Sequence, residues 1–156
     1  SDFPKSNYSK FTAMHLARIY VDAKKFDRAE TELRWVVKKS EPDDAIGQVA
    51  SIRLTRVLAA MGESTQAIEI LSSKQDTSFK ALRATVLGDI MWDLGKKEAA
   101  LKEYQAARDL SDGAFVPPRL MEKLSFLGAN SPEADSDLNI HGEAENAITV
   151  SDESGG

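Results

Sequence analysis

A double series of small residues repeats three times along this chain and constrains its fold more than any other feature. Each member of the first series follows a leucine, and each member of the second lies twelve residues later. Both series advance by 38 residues and then by 33, so two independent markers report the same repeat. Small side chains at such positions let two helix backbones approach closely. The first series is Ala17, Thr55 and Gly88, and the second is Ala29, Ala67 and Ala100.

Apolar residues around these markers recur at the spacing of an amphipathic helix, which predicts two helices in each repeat. Gly62 and Gly95 fall where the first helix of a pair must stop and reverse, because glycine reaches the left-handed conformation without steric cost. Lys24 stands at the equivalent place in the first repeat and predicts a less favourable turn. The predicted helices are 7–23, 26–39, 43–61, 64–73, 77–94 and 97–110, followed by 118–127, which Pro117 and Pro118 open and Gly128 ends.

The pattern resembles the tetratricopeptide repeat, most closely in the third copy, where Leu87-Gly88, Gly95, Ala100 and Tyr104 match the family's consensus positions. The resemblance implies an all-α fold, a right-handed α-solenoid of three helix pairs with a C-terminal capping helix that hides the last interface. The predicted repeats span about 10–42, 48–75 and 81–112. The predicted capping helix spans 117–127, with an apolar stripe made by Leu120, Met121, Leu124 and Leu127.

Charge divides the chain into two parts. Seven acidic residues and no Lys or Arg lie in 129–156, which leaves 20 basic and 18 acidic residues in the rest of the chain. The predicted organisation is therefore a short N-terminal segment, 1–6, a repeat domain, 7–128, and an acidic disordered tail, 129–156. Within that tail, 146–150 is apolar enough to add a strand or a short helix to another surface.

The composition disfavours catalysis and several classes of ligand. The chain has no Cys and only two His, at His15 and His141, so we expect no metal site, no cofactor and no nucleophile paired with a base. The near-neutral repeat domain lacks the clustered basic residues that nucleic acid binding requires. Asp43 and Asp44 follow Pro42 and are read as a helix N-cap and a first-turn acid.

We predict instead that the chain binds other proteins through a groove along the first helices of the three pairs. In the tetratricopeptide family that surface is the usual ligand site. Apolar side chains bordered by charge mark interaction surfaces, and Trp, Met and Arg are favoured at binding hot spots. Packing between neighbouring helices is the competing explanation for the same side chains. The predicted groove residues are Phe11, Met14, Arg18, Val21, Val49, Ile52, Arg56, Leu82, Thr85, Asp89 and Trp92.

Three sequence blocks resemble one particular family of such proteins, the YfgM family. They are 16–22 (LARIYVD), 52–57 (IRLTRV) and 87–90 (LGDI), and Tyr8 and the last helix also look similar. Thr55 departs from the family's alanine. The resemblance implies an ancillary subunit of the bacterial Sec translocon, anchored in the inner membrane by one N-terminal helix, with this repeat domain on the periplasmic side. The implied partners are the SecYEG translocon, a PpiD-like chaperone and unfolded secretory clients. The resemblance also implies that this chain is the periplasmic domain with its anchor removed.

Three alternatives remain open at this stage. The chain could be a cytoplasmic tetratricopeptide scaffold or adaptor that binds a peptide or a partner helix, which shares the fold and differs in compartment. It could be an enzyme, which the lack of a nucleophile and base disfavours. It could also self-associate, with the groove or the open N-terminal end buried in a dimer.

Overall fold

The computed structural model describes residues 3–73, 79–111 and 116–129, with side chains from 7 to 128 within those ranges. Over these residues the chain forms seven α-helices and no strand, which confirms the predicted all-helical fold. Each helix contacts the next along the chain, and α1, α3 and α5 also contact one another in sequence. The helices are α1 (Phe3–Asp22), α2 (Phe26–Lys38), α3 (Ala45–Ala60), α4 (Ser64–Ser72), α5 (Lys80–Asp93), α6 (Lys97–Asp109) and α7 (Leu120–Ala129).

The first helix of every pair ends in the same hydrogen-bonded turn. Lys24, Gly62 and Gly95 have φ angles of 56°, 84° and 74°, which confirms the predicted left-handed positions. The amide of the residue that follows each of them donates to a carbonyl five residues back, at 2.8 to 2.9 Å. This bond closes the Schellman motif that satisfies the free carbonyls at a helix end. Three equivalent turns therefore set the same reversal in each pair, although Lys24 adopts it at a steric cost.

The predicted small residues lie at the centre of the packing. Ala29, Ala67 and Ala100 are fully buried, and Thr55 is equally inaccessible. Gly88 contacts the ring of Tyr104 so closely that a Cβ added there would lie 2.5 Å from the Tyr104 Cε1 atom. A side chain at position 88 would thus push α6 away from α5.

The start of α3 is fixed by Asp44, which takes the N-cap role one residue later than predicted, since the helix begins at Ala45. Its carboxylate accepts a hydrogen bond from the Ile46 amide at 3.0 Å, which caps the helix. The other carboxylate oxygen lies 2.7 Å from the Nζ of Lys10 on α1, whose side chain is nearly buried. The hydrogen bond from Lys10 lowers the pKa of Asp44, and the Ile46 amide adds to that effect against the opposing cost of partial burial.

The end of α4 is held by an arginine that the sequence pattern did not single out. Arg83 is only 7% exposed, and its Nη2 donates to the carbonyls of Ile70 at 2.6 Å and Leu71 at 3.0 Å. These carbonyls belong to the last turn of α4 and have no partner within that helix. A cation there also complements the negative end of the helix dipole. Burial lowers the pKa of Arg83 from its usual value.

The last helix differs in detail from the prediction. It begins at Leu120, two residues later than expected, because Arg119 has a φ of 62° and separates the two prolines from the helix. Leu120 and Leu127 are buried against α6, whereas Met121 is 56% exposed and does not belong to the packed stripe. Gly128 lies inside α7 instead of ending it. The predicted disordered tail, 129–156, and the 146–150 stretch lie outside the described residues, apart from Ala129.

Candidate protein-binding surface

The first helices of the three pairs present eight of the predicted groove residues to solvent. Four are exposed and four are half-buried, and all eight lie on α1, α3 or α5. We call these residues the groove surface. Its members are Phe11, Arg18, Val21, Arg56, Val49, Leu82, Asp89 and Trp92.

Met14, Ile52 and Thr85 are placed elsewhere. Met14 and Ile52 are 8% and 3% exposed and belong to the hydrophobic core that α1 to α5 form together. Thr85 is 2% exposed, and its hydroxyl donates to the Ala81 carbonyl at 2.8 Å. These three side chains therefore do not form part of the accessible surface, because each points from its helix toward a packed neighbour. Packing between neighbouring helices, and not an exposed groove, therefore explains the apolar or buried character of these three residues.

A pocket of about 260 Å³ opens between α1 and α3. Its floor is apolar and comes from α1, α2 and α3, with Val21 from α1, Phe26 and Leu33 from α2, and Val57 from α3. Three arginines surround this floor. Two of them, Arg18 and Arg56, belong to the predicted groove; the third, Arg53, was missed.

A larger pocket, of about 640 Å³, opens between α5 and α7. Trp92 and Phe126 line it, with their ring centroids 5.7 Å apart in an edge-to-face arrangement. The ammonium of Lys97 lies 5.7 Å from the centroid of the Trp92 ring on the side of α6. The predicted groove residue Trp92 is thus half-covered by contacts from within the chain.

Asp89 is the centre of a polar network in this second pocket. It accepts a hydrogen bond from the Tyr104 hydroxyl at 2.7 Å and forms an ion pair with Lys123 of α7. The Lys123 ammonium also lies 5.4 Å from the centroid of the Tyr104 ring. Burial of Tyr104, together with the hydrogen bond to the Asp89 carboxylate, raises the pKa of its phenol. Asp89 therefore joins α5, α6 and α7, and its charge is already matched.

Comparison with known proteins decides the family. A family model described as a tetratricopeptide repeat-like domain matches residues 1–128. The chain belongs to the tetratricopeptide repeat-like domain family. No solved structure matches the chain significantly.

Curated relatives of this repeat-like domain share one name, "Ancillary SecYEG translocon subunit". The relative from Aggregatibacter actinomycetemcomitans is 31% identical over 123 residues, which cover 79% of this chain and 59% of the relative. The relative from Haemophilus influenzae is 27% identical over 104 residues, covering 67% and 50%. The relative from Neisseria gonorrhoeae is 29% identical over 126 residues, covering 80% and 60%. The chain thus spans about half to three-fifths of these relatives, which confirm the resemblance drawn from blocks 16–22, 52–57 and 87–90.

These names point to a family that acts by protein interaction and not by catalysis. His15 is exposed on α1, and His141 lies outside the described residues. In the parts of the chain that the structure describes, no three His, Cys, Asp or Glu side chains converge in a way that could hold a metal ion. Within the same ranges, no helix has both the length and the apolar character needed to cross a membrane.

Three residues that line the two pockets were not predicted from the sequence, although a signal in the sequence could have identified two of them. Arg53 lies three residues before Arg56 on α3, so the i, i+3 rule places both on one helix side. Lys123 lies 34 residues after Asp89, a spacing close to one repeat, which brings equivalent helix positions together. Phe126 gave no signal, because it lies outside the apolar stripe predicted for the last helix and is 59% exposed.

Proposed function

We propose that this domain is a protein-interaction module of an ancillary subunit of the SecYEG translocon. The shared name of the curated relatives supports the association with the translocon. The single observation that carries the interaction role is the groove surface, where Phe11 and Val21 are 60% and 37% exposed and Val21 lines an apolar pocket together with three arginines. Exposed apolar residues bordered by charge are typical of surfaces that bind another protein.

Binding at this surface requires burial and charge pairing only. A helix or an extended segment of a partner would cover Phe11 and Val21, and each square ångström of apolar area removed from water contributes about 25 cal/mol. The same burial would shield an aggregation-prone stretch of an unfolded polypeptide. We therefore propose a PpiD-like chaperone and emerging secretory clients as the partners, and the periplasmic side of the inner membrane as the location.

Copurification from envelope extract tests this proposal, using the chain joined to an N-terminal membrane anchor. We expect recovery of SecYEG subunits and of a PpiD-like chaperone. Val21→Asp places a charge in the pocket and should lower that recovery by about tenfold. Ile19→Asp is the matched control, since Ile19 is also a β-branched residue of α1, is 47% exposed and lies outside both pockets.

Three results would contradict the proposal. Failure of the wild-type protein to recover any translocon subunit would remove the association itself. Recovery of cytosolic proteins alone would favour the alternative of a cytoplasmic adaptor. Equal losses with Val21→Asp and Ile19→Asp would show that binding occurs away from the groove surface.

A further inference from the structure

The pocket between α1 and α3 carries positive charge that nothing in the described chain matches. Arg18, Arg53 and Arg56 are all exposed at its edge. Among the residues that the structure describes, none of the three makes a hydrogen bond or an ion pair. Three guanidinium groups around one pocket repel one another unless an anion lies between them.

The other five arginines of the chain each have a partner, so the lack of one is specific to this pocket. Three of them pair with carboxylates at 2.7 to 3.1 Å, one donates to the two carbonyls at the end of α4, and one lies over the Tyr20 ring. These five are Arg34, Arg108, Arg119, Arg83 and Arg28.

The floor of the pocket adds a second requirement for its ligand. Leu33 and Val57, which line it, are 1% and 4% exposed, and Val21 and Phe26 add further apolar lining. A volume of about 260 Å³ accommodates one large apolar side chain and little more. Water in contact with such a floor is released favourably when an apolar group enters. An anion alone would match the arginines and leave the floor hydrated.

We propose that this pocket binds an acidic–apolar segment of a partner polypeptide. One large apolar side chain of the segment enters between Val21 and Val57, and carboxylates at neighbouring positions pair with the guanidinium groups. Arg53 and Arg56 are three residues apart and lie on the same side of α3, so both can pair with one side of the bound segment. Arg18 lies on α1 and can pair with the other side. Guanidinium groups bind carboxylates through two parallel hydrogen bonds, which fixes the direction of the segment. This inference rests on the proposed protein-binding function and names the chemistry of its ligand.

Peptide binding to the purified full chain tests the inference by fluorescence anisotropy. One labelled peptide has a leucine flanked by aspartates, and a matched peptide has asparagines in place of the aspartates. We expect the aspartate peptide to bind about tenfold tighter at low salt, which corresponds to about 1.4 kcal/mol. Because the pairs are exposed, that advantage should shrink as the salt concentration rises.

Single substitutions locate the effect. Arg53→Gln and Arg56→Gln should each weaken binding of the aspartate peptide by about threefold to tenfold and leave the asparagine peptide unchanged. Arg108→Gln is the matched control, since it removes an exposed guanidinium from α6, far from the pocket lining. All three residues are exposed, and circular dichroism checks that each variant keeps its helix content.

Three outcomes would overturn the inference. Equal affinity for the two peptides would remove the role of the carboxylates, and an equal loss with Arg108→Gln would reduce the effect to net charge. Binding of the aspartate peptide only after removal of 129–156 would assign the pocket to the chain's own acidic segment. None of these outcomes affects copurification with the translocon, so failure here and failure of the proposed function are distinguishable.

Discussion

The two ends of the groove surface carry opposite charges at equivalent repeat positions. Arg18, Arg56 and Asp89 are separated by 38 and 33 residues, the steps of the repeat itself. At the α1–α3 end the arginines have no partner among the described residues, whereas at the α5–α7 end Asp89 is bound by Tyr104 and Lys123. Among the described residues, one repeat position therefore holds an unpaired arginine in two copies and a paired aspartate in the third.

The two ends of the repeat array also differ in whether a further helix of the chain covers them. Lys10 of α1 pairs with Asp44 at the start of α3, and Lys123 of α7 pairs with Asp89 of α5, each across 34 residues. At the C-terminal end α7 occupies the place beside α5 that the first helix of a further pair would take. Phe126 packs against Trp92, and Lys123 forms an ion pair with Asp89, so the chain itself covers this end. The α1–α3 end has no such covering helix among the described residues.

Tyr104→Ala should disrupt the packing of α5, α6 and α7 and leave the α1–α3 end unchanged, and it has the largest expected effect. The ring packs on Gly88 and is 3% exposed, so its loss should lower the free energy of unfolding by about 3 to 4 kcal/mol. Tyr104→Phe, which removes only the hydrogen bond to Asp89, should cost about 1 kcal/mol. Urea unfolding measures both values. If the two variants lost the same stability, the packing against Gly88 would not be what closes this end.

Arg83→Met tests the boundary between the two ends, because Arg83 of α5 holds the end of α4. Loss of its two hydrogen bonds leaves the Leu71 carbonyl without this donor and the Ile70 carbonyl with the Ser73 hydroxyl alone, and should cost about 2 kcal/mol. Arg83→Lys keeps the charge and should recover about half of that loss. Hydrogen exchange should show the change first at the α4 end; protection that stays unchanged there would contradict the assigned role.

Asp44→Asn probes the ion pair of the N-terminal end through its pH dependence. Asparagine is also a good N-cap, so the variant loses mainly the pairing with Lys10, worth about 1.5 kcal/mol. Because the pKa of Asp44 is lowered in the folded state from its ordinary 3.8, the stabilisation is complete above that pH and is lost as pH falls through the folded value. Thermal unfolding of both proteins between pH 7 and pH 2 should show a difference that disappears in acid. A difference independent of pH would exclude the ion pair as its cause.

Lys24→Gly tests whether the three turns have the same backbone requirement, and it has the smallest expected effect. Lys24 holds a φ of 56°, where Gly62 and Gly95 occupy the same position in the other pairs. Glycine removes the steric cost and should stabilise the domain by about 0.5 to 1 kcal/mol, in spite of the added freedom of the unfolded chain. Gly62→Ala is the control with the opposite sign, measured in the same urea titration. A destabilising Lys24→Gly would show that the lysine side chain contributes a contact of its own.

The sequence alone determined the repeat, the order of the helices and the three turns. Small residues at two matched offsets leave few other ways to pack paired helices, and glycine at a reversal identifies the left-handed position directly. The core positions of Ala29, Ala67 and Ala100 follow from this pattern, and local chemistry predicts an N-cap at Asp43–Asp44, which the structure assigns to Asp44.

Tertiary packing decided which groove residues are accessible. Periodicity assigns a residue to one side of a helix but does not fix how far that helix rotates against its neighbours, so Met14, Ile52 and Thr85 lie inside while Arg18 and Arg56 lie outside. The partner of Asp89 and the packing of α7 depend on contacts between distant parts of the chain, Lys123 with Asp89 and Leu120 with the buried residues of α6. Such contacts form only when the helices pack together, and no local pattern in the sequence encodes them.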